Sequence, residues 1–212
     1  MRNRLTRGRS SAIARALLAA STIAISGCGG HDSAPANVAA QTSAAMCSAL
    51  AGMTVPASSI GLPTTGATVI SATLVADTDP GNTNGEYCKV LGSIHPVDFN
   101  APDIHAEVDL PTNFNGKSVH FGGAGFDGTI PATEGSPLDG FLAGAEPAGV
   151  TTPLRRGYVT LGSDSGHEGT LFDGSFAAND EALANYAGNH MPRLLFFLTQ
   201  IWGKTWVQNW SC

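Results

Sequence analysis

The stretch KSVHFGGAGFDG, residues 117–128, decides how the chain is read. Val119 and Phe121 alternate with Ser118 and His120 as in a strand, and the strand runs directly into Gly122, Gly123, Ala124 and Gly125, then Phe126, Asp127 and Gly128. Glycines after a strand let backbone N–H groups turn toward a ligand without obstruction by Cβ. That suits either a phosphate or the negative oxygen that develops during acyl transfer. A phosphate loop fits poorly. The Walker pattern needs Gly-Lys-Ser/Thr, which does not occur, and a dinucleotide fingerprint needs a tight turn into a helix, which residues 126–131 do not resemble. Two readings stand: an oxyanion loop, or a surface loop without a ligand.

Strand signals lie on both sides of this stretch. Residues 67–76 (ATVISATLVA) are rich in β-branched side chains, and residues 87–94 (YCKVLGSI) follow the turn DTDPGNTNGE, so the two read as antiparallel neighbours. Residues 104–110 alternate, with Ile104, Ala106, Val108 and Leu110 on one face. The opposite face carries His105, Glu107 and Asp109, and the expectation is that it is wet. Residues 122–153 hold eight Gly and four Pro without a period, and long irregular stretches inside a domain are usually functional or disordered. Residues 154–163 (LRRGYVTLGS) return to a strand, Ser163-Asp164-Ser165-Gly166-His167 follows, and residues 180–187 (DEALANYA) have an acidic start and helical spacing. A meander of strands followed by mixed elements predicts an α/β sheet, antiparallel at its start and parallel afterwards.

The chain has 212 residues with a net charge of −6, but the charge is unevenly placed. Arg2, Arg4, Arg7, Arg9 and Arg15 lie in the first 27 residues, which contain no acid; the remainder carries 6 Lys and Arg against 17 Asp and Glu, or −11. Such a body repels a nucleic-acid backbone, so nucleic-acid binding is excluded as a function. Residues 1–27 have the basic start and short apolar run of an export signal, and no apolar stretch is long enough for an integral membrane domain. Ile25-Ser26-Gly27-Cys28 resembles a bacterial lipobox, which implies lipidation of Cys28, residence in the cell envelope and a membrane partner through the acyl chains. The alternative is an ordinary signal beside a stray cysteine. Residues 28–45 read as a Gly/Ala/Ser/Pro-rich tether. In an exported protein Cys47 and Cys88 read as one disulfide, the alternative being two buried thiols, and Cys212 is left over. No Cys/His spacing suits zinc, and neither a metal nor a cofactor is implied.

Several segments in order resemble the tannase and feruloyl esterase family of α/β-hydrolases. They are Cys47-Ser-Ala-Leu; Tyr87-Cys88-Lys-Val-x-Gly-x-Ile94-x-Pro96; Ile104-x-x-Glu-Val-x-Leu-Pro111; Phe114-Asn-Gly116-Lys; Gly122-Gly123-Ala124-Gly125-Phe126-x-Gly128; Arg156-Gly157-Tyr158-Val159-x-x-x-Ser163-Asp164-x-Gly166-His167; and Phe176. The resemblance covers residues 47–186. It implies an α/β-hydrolase sheet and an esterase acting on small aromatic esters of feruloyl or galloyl type through a Ser-His-Asp triad. Gly122, Gly123, Ala124 and Gly125 then become the oxyanion loop, and His167 a packing and hydrogen-bonding residue near the site.

The resemblance also breaks. The family's Gly-Cys-Ser-x-Gly-Gly nucleophile elbow is absent, and Gly162-Ser163-Asp164-Ser165-Gly166 puts Asp where an elbow needs Ser. No catalytic nucleophile, acid or base is therefore assigned, and the expectation is an N-terminal portion of the sheet, truncated before the elbow and inactive alone. Ser165 and His167 are too close in sequence to face each other as a dyad. Residues 190–212 do not resemble the family; Trp202, Trp206 and Trp210 form one stripe if helical. The domain is thus expected to run over residues 46–189, with an aberrant Trp-rich tail at 190–212. A different class of function remains open, a non-catalytic envelope lipoprotein that binds an aromatic ligand or protein partner through the glycine loop and this tail.

Overall fold

A computed structural model describes residues 43–135 and 150–205, with the backbone alone at 204 and 205. The export signal, Cys28, most of the tether, Trp206, Trp210 and Cys212 lie outside the described residues. A short helix α1 (Ser43–Ser48) precedes strands β1 (Thr54–Val55), β2 (Gly66–Val75), β3 (Tyr87–His95), β4 (Ile104–Pro111), β5 (Ser118–His120) and β6 (Val159–Ser163). Helices α2 (Asp180–Ala184) and α3 (His190–Thr205) follow. The strands form one mixed, open six-stranded sheet in the order β1-β2-β3-β4-β6-β5. Pairing is antiparallel from β1 through β4 to β6, and β5 joins β6 in parallel, so the chain is an α/β protein with an antiparallel start.

The alternation along β4 places Ile104, Ala106, Val108 and Leu110 in the core, each at most 1% exposed. Contrary to expectation, its other face is wet only at His105, which stays partly exposed. Asp109 is fully buried and Glu107 half-buried, because residues 129–135 fold back over β4 and β6 and cover them. Thr133 is the contact: its hydroxyl oxygen lies 2.7 Å from Asp109 Oδ2 and also bonds Glu107. Alternation in the sequence shows which residues share a face, not what a distant segment lays over it.

The segment set apart as an aberrant tail belongs to the domain as far as it is described. In α3, Leu194, Phe197, Leu198 and Ile201 recur at helical spacing, are at most 7% exposed, and pack on Val69, Val90, Ile94, Val108 and Leu161 of the sheet. A side chain at Gly92 would displace this contact, since its Cβ would lie 2.4 Å from the buried ring of Phe197. Trp202 meets Phe114 edge-on with ring centroids 4.2 Å apart. No helix among the described residues is long and apolar enough to cross a membrane.

Two cross-links hold the periphery. Cys47 and Cys88 are disulfide-bonded across 41 residues, tying α1 to β3; closing a loop of that size stabilises a fold by about 4 kcal/mol in the chain-entropy account. Arg193, only 3% exposed, pairs with Glu181 at 3.3 Å and donates to Asn185 Oδ1 and the carbonyl of Pro63. Glu181 in turn accepts from the amides of Val97 and Asp98. This network spans a kink at Gly188 (φ 133°), where α2 ends and α3 begins, and Asn179 caps α2 by accepting from the amide of Ala182 at 2.9 Å. Replacing Phe197 with Ala should cost about 3–5 kcal/mol in urea denaturation, because it empties the centre of the helix–sheet contact. A loss below about 1 kcal/mol would mean that residues 190–205 are not part of the core.

Candidate functional site

Strands β5 and β6 run parallel, with Val119 opposite Thr160 and His120 opposite Leu161. Their carboxyl ends emerge together, and ligand sites in α/β sheets form at such ends. One further bond, from the amide of Phe121 to the carbonyl of Leu161 at 2.7 Å, extends the pair before the chain leaves as the glycine loop. The loop is pinned along its length. The amide of Asp127 closes a turn on the carbonyl of Ala124 (3.0 Å), and the amide of Phe126 donates to the carbonyl of Leu171 (2.9 Å). Tyr186 Oη donates to the carbonyl of Gly125 (3.2 Å), and the amide of Gly169 donates to that of Gly128 (3.1 Å). By contrast, the amides of Gly122, Gly123, Ala124 and Gly125 donate to no acceptor among the described residues. Gly122, Gly123 and Gly125 are exposed and Ala124 is half-buried, so these backbone donors are open to a ligand.

Contact requires glycine at Gly125, where the clash is with backbone, and at Gly123 a side chain would have to displace the Asp127 carboxylate. A Cβ at Gly123 would lie 1.8 Å from Asp127 Oδ1, and one at Gly125, where φ is +63°, would lie 2.4 Å from the carbonyl oxygen of Leu171. Asp127 itself sits at φ 60° and its Oδ2 accepts the hydroxyl proton of Ser165. His167, 2% exposed, donates from Nε2 to the carbonyl of Phe126 at 2.9 Å; that bond fixes the proton on Nε2. Its ring stacks on Phe176 (3.8 Å between centroids), and Tyr186 packs against both. Ser165 and His167 therefore bond different loop atoms and form no dyad. Nothing in the sequence around the loop signals that Tyr186 or Leu171 holds it; Asp127 in a left-handed position beside Gly128 is the one local hint of its tight turn.

Burial dominates the titration of the nearby acids. Asp164, at the end of β6, accepts from the amides of Gly166 (2.8 Å) and His105 (3.1 Å), yet burial pushes its carboxyl up to about 7. Burial, aided by Glu107, pushes Asp109 up to about 8. Carboxylate oxygens of Glu107, Asp109 and Glu134 lie within 4.8 Å of one another, a hard-oxygen set of the kind that holds a divalent cation. Here the Lys89 ammonium already joins Glu107 (3.3 Å) and Glu134. Burial alone would lower that lysine, and its bond to Glu134 with the charge of Glu107 raises it instead. His120, just before the glycine loop, is held below the usual histidine range by burial and by His190, whose ring is 6.1 Å away.

A mixed sheet that presents a glycine loop at the end of a parallel strand is an arrangement that α/β-hydrolases share. Residues 88–201, more than half of the chain, match the family model for tannase and feruloyl esterase, and the chain belongs to that family. It is 51% identical over 158 residues to an uncharacterized esterase of Agrobacterium fabrum, which covers 74% of this chain and 28% of that protein. It is 28% identical over 128 residues to the mono(2-hydroxyethyl) terephthalate hydrolase of Piscinibacter sakaiensis, covering 57% of this chain and 19% of that one. Crystal structures of an esterase and of feruloyl esterase B from Aspergillus oryzae superpose with TM-scores of 0.49 at 20% and 18% identity, over 79% of this chain and 31% and 30% of theirs. The chain spans less than a third of the length of these relatives.

Replacing Gly125 with Ala should destabilise the chain by about 2 kcal/mol, combining left-handed strain with loss of the bond between Phe126 and Leu171. Urea denaturation measures the cost, and faster exchange of the Phe126 amide should accompany it. A second expectation concerns pH. Asp109 and Asp164 hold protons to about 8 and about 7 when folded, against 3.8 as ordinary carboxyls. Their contribution is therefore complete below pH 3.8 and is lost as the pH rises through the folded values. Between pH 4 and pH 8 the melting temperature should fall less in Asp109→Asn than in the parent, and an identical decline would remove Asp109 as a cause.

Proposed function

We propose that this chain forms the oxyanion-binding part of an exported carboxylic ester hydrolase acting on small aromatic esters of feruloyl or galloyl type. The row of free amides at Gly122, Gly123, Ala124 and Gly125 carries the reading. As a nucleophile adds to an ester carbonyl, charge builds on its oxygen, and preorganised N–H donors stabilise that charge without having to reorient. The braces from Leu171, Tyr186 and His167 keep the donors in place, and loss of one such donor costs an active enzyme about 10²–10³ in rate. The family, tannase and feruloyl esterase, and a relative that hydrolyses mono(2-hydroxyethyl) terephthalate both favour an aromatic ester. In this reading the serine, histidine and acid are supplied from outside these 212 residues, and Cys28 holds the mature protein at a membrane through its acyl chains.

Titration of the ¹⁵N-labelled chain with methyl ferulate, followed amide by amide, tests the reading. The expected result is saturable shifts concentrated at Gly122–Gly125, with no burst of 4-nitrophenol from 4-nitrophenyl acetate. A folded chain whose loop amides ignore the ester would overturn the oxyanion assignment. A stoichiometric burst would overturn the placement of the nucleophile elsewhere.

A further inference from the structure

The face of the sheet turned away from α3 carries a group of carboxyl side chains that ester chemistry does not use. Lys89 stands opposite Asp109 in the register of β3 with β4, and Glu107 lies two residues from Asp109 on the same face. Residues 129–135 fold over them and add Thr133 and Glu134. One carboxylate oxygen from each of Glu107, Asp109 and Glu134 lies within 4.8 Å of the others. Oxygens bound to one calcium ion at about 2.3–2.6 Å stand at most about 5 Å apart, so these three can share an ion without any movement of the strands.

Lys89 accounts for only part of this cluster. It pairs with Glu107 and Glu134 and not with Asp109, and its one positive charge faces three carboxyl groups. Asp109, fully buried, is only half used. Its Oδ2 meets the hydroxyls of Thr133 (2.7 Å) and Thr160 (3.4 Å), whereas Oδ1 is buried and accepts no hydrogen bond among the described residues. Thr133 has one hydroxyl proton and stands against both Glu107 and Asp109, so the cluster is short of donors. A buried carboxylate oxygen without a partner is costly, and a cation among the three groups supplies one. We propose that Glu107, Asp109 and Glu134 bind a calcium ion that clamps residues 129–135, the exit of the glycine loop, onto β4, and that Lys89 competes for the same oxygens.

Terbium, a calcium substitute whose luminescence is sensitised by a nearby phenol, reads the site through Tyr87, two residues from Lys89 on the same face of β3. The parent chain should give saturable luminescence that calcium displaces, with half-displacement below about 1 mM. Glu134→Gln should weaken binding about tenfold or more, and Lys89→Gln should tighten it by a similar factor. Tyr87→Phe should lose the luminescence while calcium still raises the melting temperature. Asp180→Asn, which alters an exposed acid on α2, should change neither readout. A parent chain that is folded by its dispersed amide spectrum yet gives no calcium-displaceable luminescence overturns the site. So does an equal loss from Asp180→Asn and Glu134→Gln, which would mark binding to surface acids in general, and so does weaker binding in Lys89→Gln. Displacement by magnesium at the same concentrations as calcium overturns the choice of ion.

Discussion

The parallel pairing of β5 with β6 is the constraint on which the candidate site depends. β6 enters the sheet between β4 and β5, antiparallel to the first and parallel to the second. Parallel strands release their chains at the same end, so the glycine loop after β5 and the turn after β6 must emerge side by side. Each then supplies what the other lacks. Leu171 accepts the amide of Phe126, His167 donates to the carbonyl of that residue, and Ser165 donates to Asp127. Besides its own turn between Asp127 and Ala124, the loop is held by hydrogen bonds with Ser165, His167, Leu171 and Tyr186, all distant in sequence.

That frame relies on α3. The sheet has a strongly apolar face at β2, β3, β4 and β6, and the ridge of Leu194, Phe197 and Ile201 buries it. Gly92 lets the ring of Phe197 approach β3 directly. The kink before the helix is fixed by Arg193, whose guanidinium satisfies Glu181, Asn185 and Pro63 together. A buried guanidinium is costly unless paired, so this node accepts little variation in the angle between α2 and α3. The angle matters to the site because Tyr186, which bonds the carbonyl of Gly125, sits in the kinked turn itself.

Much of the sheet was legible in the sequence because its signals are local. The alternation of Ile104, Ala106, Val108 and Leu110 and the turn chemistry before Tyr87 report structure formed within a few residues. The glycine loop was legible for the same reason, since its conformation needs residues without side chains. What escaped was non-local. Nothing near Asp109 announces that Thr133 will cover it, and nothing near Gly125 announces a brace from Tyr186. Helix α3 is a different case: its Leu194, Phe197, Leu198 and Ile201 spacing is plain in the sequence, and the family match runs through it to residue 201, whereas the tryptophan stripe alone suggests a separate tail.

The separation between β5 and β6 also sets an order of events. The β2-β3-β4 meander joins neighbours in sequence and closes small loops, whereas pairing Ser118 with Val159 must close a loop of about 40 residues before any contact rewards it. Local pairings therefore form first, and the parallel pair forms late. The amide row inherits that lateness, since its braces do not exist until β6 is seated, and pulse-labelled hydrogen exchange during refolding would show protection at Val90 and Val108 ahead of Phe121 and Phe126. The glycine loop is in this sense the last part of the described fold to take its shape, and the oxyanion role proposed for it would be acquired with that shape.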